Sequence, residues 1–177
     1  MSLAKHIIDN PVIKTRRFLI RPLHESDVHD LLEWVSDGTV YVPSHRDIKN
    51  TPNPSLQFFC VVDLTKRFHW GIQFDGKVIG ELWMHLNEVN RSAKLAYRIA
   101  PSYRGHGIAS EGIQAIVSMC FATSELRTIW ADVYDYNTAS IRVLEKSGFV
   151  LKKVVSRNEN DNIKSDYYIY AIENTCY

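Results

Sequence analysis

Tyr97-Arg98-Ile99-Ala100-Pro101-Ser102-Tyr103-Arg104-Gly105-His106-Gly107-Ile108-Ala109-Ser110-Glu111 is the stretch on which the fold turns. Its first part closes an apolar run, Ala93 to Ala100, that reads as a strand ended by Pro101. Its last part opens the strongest helical pattern in the chain, Gly107 to Phe121. There Ile108, Ala109, Gly112, Ile113, Ile116, Val117 and Cys120 share one face, and Glu111, Gln114 and Ser118 lie opposite. Between strand and helix, Gly105 and Gly107 let the backbone turn and approach a ligand closely. Amide N–H groups converging at the positive end of a helix dipole suit an anion, and Arg104 offers a charge-assisted bond to phosphate. Taken alone, glycine at a helix start is also an ordinary cap, and the loop by itself does not choose between the two. Other phosphate motifs fit less well. There is no Gly-Lys-Ser/Thr, and a dinucleotide fingerprint would need glycine where Ser110 stands and a place soon after the first strand.

Upstream, residues 17–22 read as a strand stopped by Pro22. His24 to Val35 reads as a helix begun at Ser26 or His24, with Val28, Leu31, Leu32 and Val35 at helical spacing. Residues 36–54 hold Gly38, Pro43, Pro52 and Pro54 and read as loop or broken helix; residues 55–67 read as a further helix. Trp70 to Phe74, Asp75-Gly76 and Val78 to Leu86 form a hairpin pattern, since Asp-Gly supplies the positive φ of a tight turn. Downstream follow a strand at Thr128 to Tyr134, a helix at Thr138 to Lys146 with Gly148 just past its end, and two closing strands about a polar turn at Asn158 to Asn162. The order is strand–helix–helix–strand–strand–strand–helix–strand–helix–strand–strand. This is α+β, a mixed α/β sandwich with helices over a largely antiparallel sheet.

The 177 residues amount to one domain, and 45% apolar with 23% charged residues is enough for a core without staples. A net charge of +1 with no Lys/Arg cluster gives no field for nucleic acid. Cys60, Cys120 and Cys176 are odd in number and scattered, as expected of reduced thiols in a cytoplasmic protein. No signal pattern or membrane-length apolar run is present, and the histidines lack metal-ligand spacing, so neither membrane nor metal is expected. The alternation in Tyr167-Tyr168-Ile169-Tyr170 is a packing pattern.

Arg104, Gly107 and Ala109 match the Gln/Arg-x-x-Gly-x-Gly/Ala signature of the GNAT acetyltransferase superfamily, which the chain resembles. The run from Tyr97 to Glu111 is similar to its RimJ/RimL branch, the ribosomal-protein N-terminal acetyltransferases. A second block, Asn137-Thr138-Ala139-Ser140 through Glu145-Lys146-Ser147-Gly148-Phe149, resembles the Asn-x-x-Ser and Glu-Lys-x-Gly-Phe segment of the same branch. Arg17-Phe18-Leu19-Ile20-Arg21-Pro22 is similar to its first strand. The likeness runs from about residue 14 to about 172, nearly the whole chain. It implies a single GNAT domain over 1–177, with six to seven strands flanked by helices and a splayed parallel pair at the cofactor site.

The resemblance also implies a mechanism. Acetyl-CoA would lie where the strands at 93–100 and 128–134 part, its thioester carbonyl on a backbone amide near Ile99 beside a bulge. Its pyrophosphate would lie on Arg104, Gly105, His106, Gly107, Ile108, Ala109 and Ser110, and Asn137 would contact the pantetheine arm. A neutral primary amine would attack directly, needing a base for its proton and an acid for the thiolate. Many relatives place a tyrosine acid seven residues after the Asn; here that residue is Leu144. Ser140 is the alternative, either stabilising the thiolate or acting as a cap hydroxyl. Glu159 stands where the branch carries a glutamate base; Glu81, four residues from His85 on one sheet face, and Asp132, beside Trp130 and Tyr134, are the other candidates. Lys94 reverses the charge where relatives often carry Glu. The acceptor is a peptide or protein N-terminus or a small amine, with a non-catalytic acyl-CoA-binding module as the third reading. A homodimer stays open.

Overall fold

Asp75 and Gly76 take φ of 50° and 80°, the left-handed conformation that folds one strand tightly back along another. The computed structural model describes residues 12–35, 67–156 and 166–175. The turn joins β3 (Arg67–Phe74) to β4 (Lys77–Asn87), preceded by β1 (Ile13–Lys14), β2 (Leu19–Pro22) and α1 (Val28–Val35). After β4 come β5 (Ser92–Ile99), α2 (Ile108–Thr123), β6 (Thr128–Tyr134), α3 (Thr138–Lys146), β7 (Val150–Val155) and β8 (Tyr167–Glu173). The helix expected over 55–66, the loop over 36–54 and the turn at Asn158 to Asn162 lie outside the described residues; Arg67, expected to end that helix, opens β3.

The strands form one sheet in the order β1-β2-β3-β4-β5-β6-β8-β7, and every neighbouring pair is antiparallel except β5 and β6. This is the expected mixed architecture, with eight strands among the described residues instead of six or seven. The extra one is two-residue β1, too short to leave an alternation in the sequence.

Faces follow the period of two. On one, Leu82, Met84, Leu95 and Ile129 meet Ile113, Ile116 and Cys120 of α2, all at most 1% exposed. Burial of each such isoleucine contributes roughly 1.5–3 kcal/mol, and it pushes the Cys120 thiol up to about 12, leaving it un-ionised and inert. Helix α3 lies beside α2: Leu144 enters the same core and Gln114 Nε2 donates to the Lys146 carbonyl at 3.0 Å. Helix α1 covers the other face, packing Leu31 and Trp34 on Val78 and Ala100. A 3₁₀ turn over Glu25–Asp27 precedes α1, so the helix proper begins later than His24 or Ser26. Asp27 holds this entry by taking the His24 N–H at 2.7 Å and both Arg21 terminal nitrogens at 2.8 Å. Asp30 caps the start of β4 instead of its own helix, accepting the Val78 N–H at 2.8 Å.

Gly80 marks a close approach of backbone to backbone in the sheet. A Cβ there would sit 2.8 Å from both the Arg98 carbonyl oxygen and Ile99 Cδ1. The carbonyl is held in the ladder and cannot retreat, so Gly80→Ala is expected to destabilise the fold by about 1–3 kcal/mol. Urea unfolding reads this as a lower midpoint with an unchanged slope; an unchanged midpoint would show that the two strands have room there.

Candidate active site

The parallel strands stay paired for only three residues. Ser92, Ala93 and Lys94 face Thr128, Ile129 and Trp130, and beyond them β5 and β6 have no ladder. Strand β6 instead continues along β8 as far as Tyr134, while β5 continues along β4 to Ile99. A wedge-shaped gap opens between them. The Ala100 N–H bonds the Ile79 carbonyl at 2.8 Å, on the β4 side. By the alternation of a strand, Ile99 turns its own N–H and C=O toward the gap. Its carbonyl takes Arg104 Nε at 3.0 Å, leaving the N–H facing the opening. The expected bulge is next door, on β4: the β3–β4 register shifts between Ile72 and Gln73, which makes Ile79 the extra residue.

At the broad end of the gap lies the loop that opens α2. Gly105 and Gly107 take φ of 79° and 75°, and Gly107 is an N-cap without a side-chain bond. The first intrahelical bond is Glu111 N–H to the Gly107 carbonyl, 3.1 Å. The N–H groups of residues 105–110 therefore donate to no protein group among the described residues. Arg104 is exposed beside them, with its terminal nitrogens unengaged among the described residues. A run of unpaired amides at a helix N-terminus, next to a guanidinium, is built to take an anion. The carbonyl side of the loop is held from behind by Arg17, whose Nη1 donates to the His106 carbonyl at 2.8 Å and whose Nε donates to Glu111 at 2.7 Å.

Helix α3 starts at the other edge of the gap. Asn137 Oδ1 accepts the Ser140 N–H at 3.1 Å, so Asn137 is the cap. The Ser140 hydroxyl, for which capping was one expectation, takes no part in the cap. Ser140 is tied to the sheet by its carbonyl, which accepts the Tyr97 hydroxyl at 3.3 Å. Burial pushes the Tyr97 phenol up to about 12, against the smaller opposing effect of the Ser140 side chain.

The candidate carboxylates part company. Glu81 is wholly buried. The expected partner, His85, is exposed and does not reach it; Glu81 instead receives His69 Nε2 at 2.6 Å and pairs with the Arg98 guanidinium. The Arg98 guanidinium in turn stacks at 5.3 Å on Trp83 and 6.0 Å on Trp34. The bulge sets this pairing. Counting back from Asp75-Gly76 without it sets His69 opposite Leu82, on the wrong face, whereas the observed partner is Trp83. Asp132 lies on the rim of the gap, half-exposed, with Lys94 Nζ at 2.8 Å and Lys94 over the Trp130 ring. Glu159 lies outside the described residues. Sequence reasoning missed Arg17, His69, Tyr97 and Arg98, whose partners are supplied by strand register and by contacts distant along the chain. No group of three or more His, Cys, Asp or Glu among the described residues is arranged to hold a metal. No described helix is long and apolar enough to cross a membrane.

Burial, and then the Arg98 charge, push the His69 imidazole down from 6.5 to about 4. The unfolded chain takes up a proton near pH 6.5 that the folded chain refuses until about pH 4. This increment of stability is complete above pH 6.5 and shrinks as pH falls toward 4. At pH 5 the loss is on the order of 2 kcal/mol. Urea unfolding at pH 7 and pH 5 is expected to show this drop in the wild type and a smaller one in His69→Gln; equal drops would exclude His69 as the cause.

Residues 17–150 match the family model described as an acetyltransferase (GNAT) domain. The uncharacterized N-acetyltransferase YoaA of Bacillus subtilis (strain 168) is 31% identical over 170 residues, covering 92% of this chain and 96% of that protein. Among solved structures, an acetyltransferase (GNAT family) from Bacillus anthracis superposes with a TM-score of 0.77 at 26% identity, over 92% of this chain and 98% of that one. RimL, a ribosomal L7/L12 alpha-N-protein acetyltransferase in complex with coenzyme A, superposes at 0.79 with 18% identity, over 92% and 97%. The family match spans the parted strands, the amide-rich loop and α3 together. The chain belongs to the GNAT acetyltransferase family and is an acetyl-CoA-dependent N-acetyltransferase.

Proposed function

We propose that the chain is one GNAT domain that acetylates the α-amine of a protein or peptide N-terminus, as the RimJ/RimL branch does, in the cytoplasm. The observation that carries the cofactor side is the run of unpaired N–H groups at residues 105–110 beside Arg104. Those amides, from Gly105 and His106 through Gly107, Ile108 and Ala109 to Ser110, receive the diphosphate of acetyl-CoA. The thiol arm then runs past Asn137 into the gap between β5 and β6. The likeness in fold to RimL, whose name specifies an α-amino acceptor, supports the choice of acceptor.

In this reading the amine nitrogen attacks the thioester carbon, and the developing oxyanion meets the Ile99 N–H, a fixed donor that needs no reorganisation. As the carbon–sulfur bond breaks, the Ser140 hydroxyl serves the thiolate; its freedom from capping, which Asn137 performs, supports that role. Of the two described candidate carboxylates, Asp132 is the one an acceptor can reach to give up its proton, because Glu81 is buried between Arg98 and His69. Glu81 then acts at one remove, holding the sheet face behind the gap.

Two measurements test the reading. Ser140→Ala is expected to lower kcat by about ten- to a hundredfold, within the usual range for losing a proton donor, while the affinity for CoA stays the same. An unchanged kcat would remove Ser140 from the chemistry. In acetyl-CoA-dependent thiol release, peptides with a free α-amine are expected to turn over and the same peptides with a blocked N-terminus are not. Faster turnover of small primary amines than of any free peptide would replace the proposal with a small-molecule acetyltransferase.

A further inference from the structure

The diphosphate site proposed above contains a conflict. Glu111 stands in the first turn of α2, where its charge favours the helix dipole but opposes an anion bound to the same amides. Arg17 answers both requirements from the β1–β2 turn, more than ninety residues away in sequence. Its Nε holds Glu111 Oε2 at 2.7 Å, and its Nη1 holds the His106 carbonyl at 2.8 Å. The remaining terminal nitrogen lies behind Gly107, 3.7 Å from where a Cβ would stand. Partial burial by itself would raise the Glu111 carboxyl, but the nearby Thr15 hydroxyl, the Arg17 hydrogen bonds and the guanidinium charge together lower it, so it stays ionised. The backbone of the turn is itself held: the Thr15 hydroxyl donates to the Phe18 carbonyl at 2.9 Å and accepts the Phe18 N–H at 3.0 Å.

We infer that Arg17 is a positioning residue for phosphate recognition: it fixes the carbonyl side of the loop, so that the N–H side faces the ligand, and neutralises Glu111 at the anion site. Two geometric facts carry this. One rigid fork spans a loop carbonyl and a helix carboxylate, which a lysine cannot do with the same geometry. In addition, a peptide unit whose carbonyl is held on one side presents its N–H on the other. Arg17 thus acts on the ligand through the loop and lies outside the reacting groups.

The inference rests on the diphosphate reading of the loop, and the test separates the two. CoA and pantetheine, which shares the thiol arm but lacks the nucleotide and its phosphates, are titrated calorimetrically into the full chain. The ratio of their Kd values measures what the nucleotide with its phosphates contributes. In the wild type the ratio is expected to be large, and a ratio near one would overturn the loop reading itself. In Arg17→Ala the ratio is expected to fall about ten- to a hundredfold, the usual cost of losing hydrogen bonds to a charged group, with the Kd of pantetheine unchanged. The double variant Arg17→Ala/Glu111→Gln is expected to recover at least about threefold of the loss, because the uncompensated carboxylate is gone. A large wild-type ratio that persists in Arg17→Ala would overturn the inference alone, as would an equal weakening of CoA and pantetheine. Should Arg17→Ala fail to fold, Arg17→Gln carries the same comparison, since it keeps the side-chain stem and removes the charge.

Discussion

Everything at this site depends on two strands failing to stay together. Strands β5 and β6 share three residue pairs and then part, each remaining bonded to its antiparallel neighbour on the far side. A parallel pair within an otherwise antiparallel sheet is the cheapest place to open one, because its slanted bonds are the weaker kind and α2 already spans the crossover. The parting converts ordinary ladder groups into a lined opening. The Ile99 N–H faces it from one strand, Asp132 borders it on the other, and the loop and α3 stand at its ends. The positive φ angles in the loop fall on glycines, which adopt them without steric cost.

The two faces of the sheet divide the labour. The face under α2 is apolar and closely filled, as its wholly buried isoleucines and Cys120 show. The opposite face carries Glu81, Arg98 and His69 under Trp34 and Trp83, with opposite charges set against one another. A buried carboxylate between a guanidinium and an imidazole is a rigid element, costly to break and of modest net stabilisation when whole. It keeps β3, β4 and β5 in register just where β5 loses β6 as a neighbour.

How far the sequence discloses this depends on the range of the interaction. Periodicity reveals α2, because seven apolar positions share one face, and Asp75-Gly76 reveals the β3–β4 hairpin, because two residues suffice for the turn. The loop glycines and the Asn137–Ser140 pair were legible for the same reason: each acts within one turn of chain. Glu81 was legible as a candidate but its partner was not: His85 is a neighbour along the same strand, whereas His69 comes from β3, and the bulge at Ile79 sets that cross-strand register without any mark in the composition. Arg17 was quoted only as part of a strand. Nothing near it in sequence shows that its guanidinium ends at residues 106 and 111, and only the folded sheet brings them together.

The far edge of the sheet has its own consequence. Strand β7 has no outer neighbour among the described residues, and Val150, Leu151 and Val154 on it are about half exposed. Such an edge invites another chain to add a strand. Lys152 and Lys153 interrupt the apolar run at its middle; Lys152 reaches Glu173 at 2.8 Å, while Lys153 has no ion-pair partner among the described residues. Two copies meeting here about a twofold axis would set lysine near lysine, and like charges directly opposite are destabilising. The edge thus carries its own guard against uncontrolled self-association, in the same strand that makes it vulnerable.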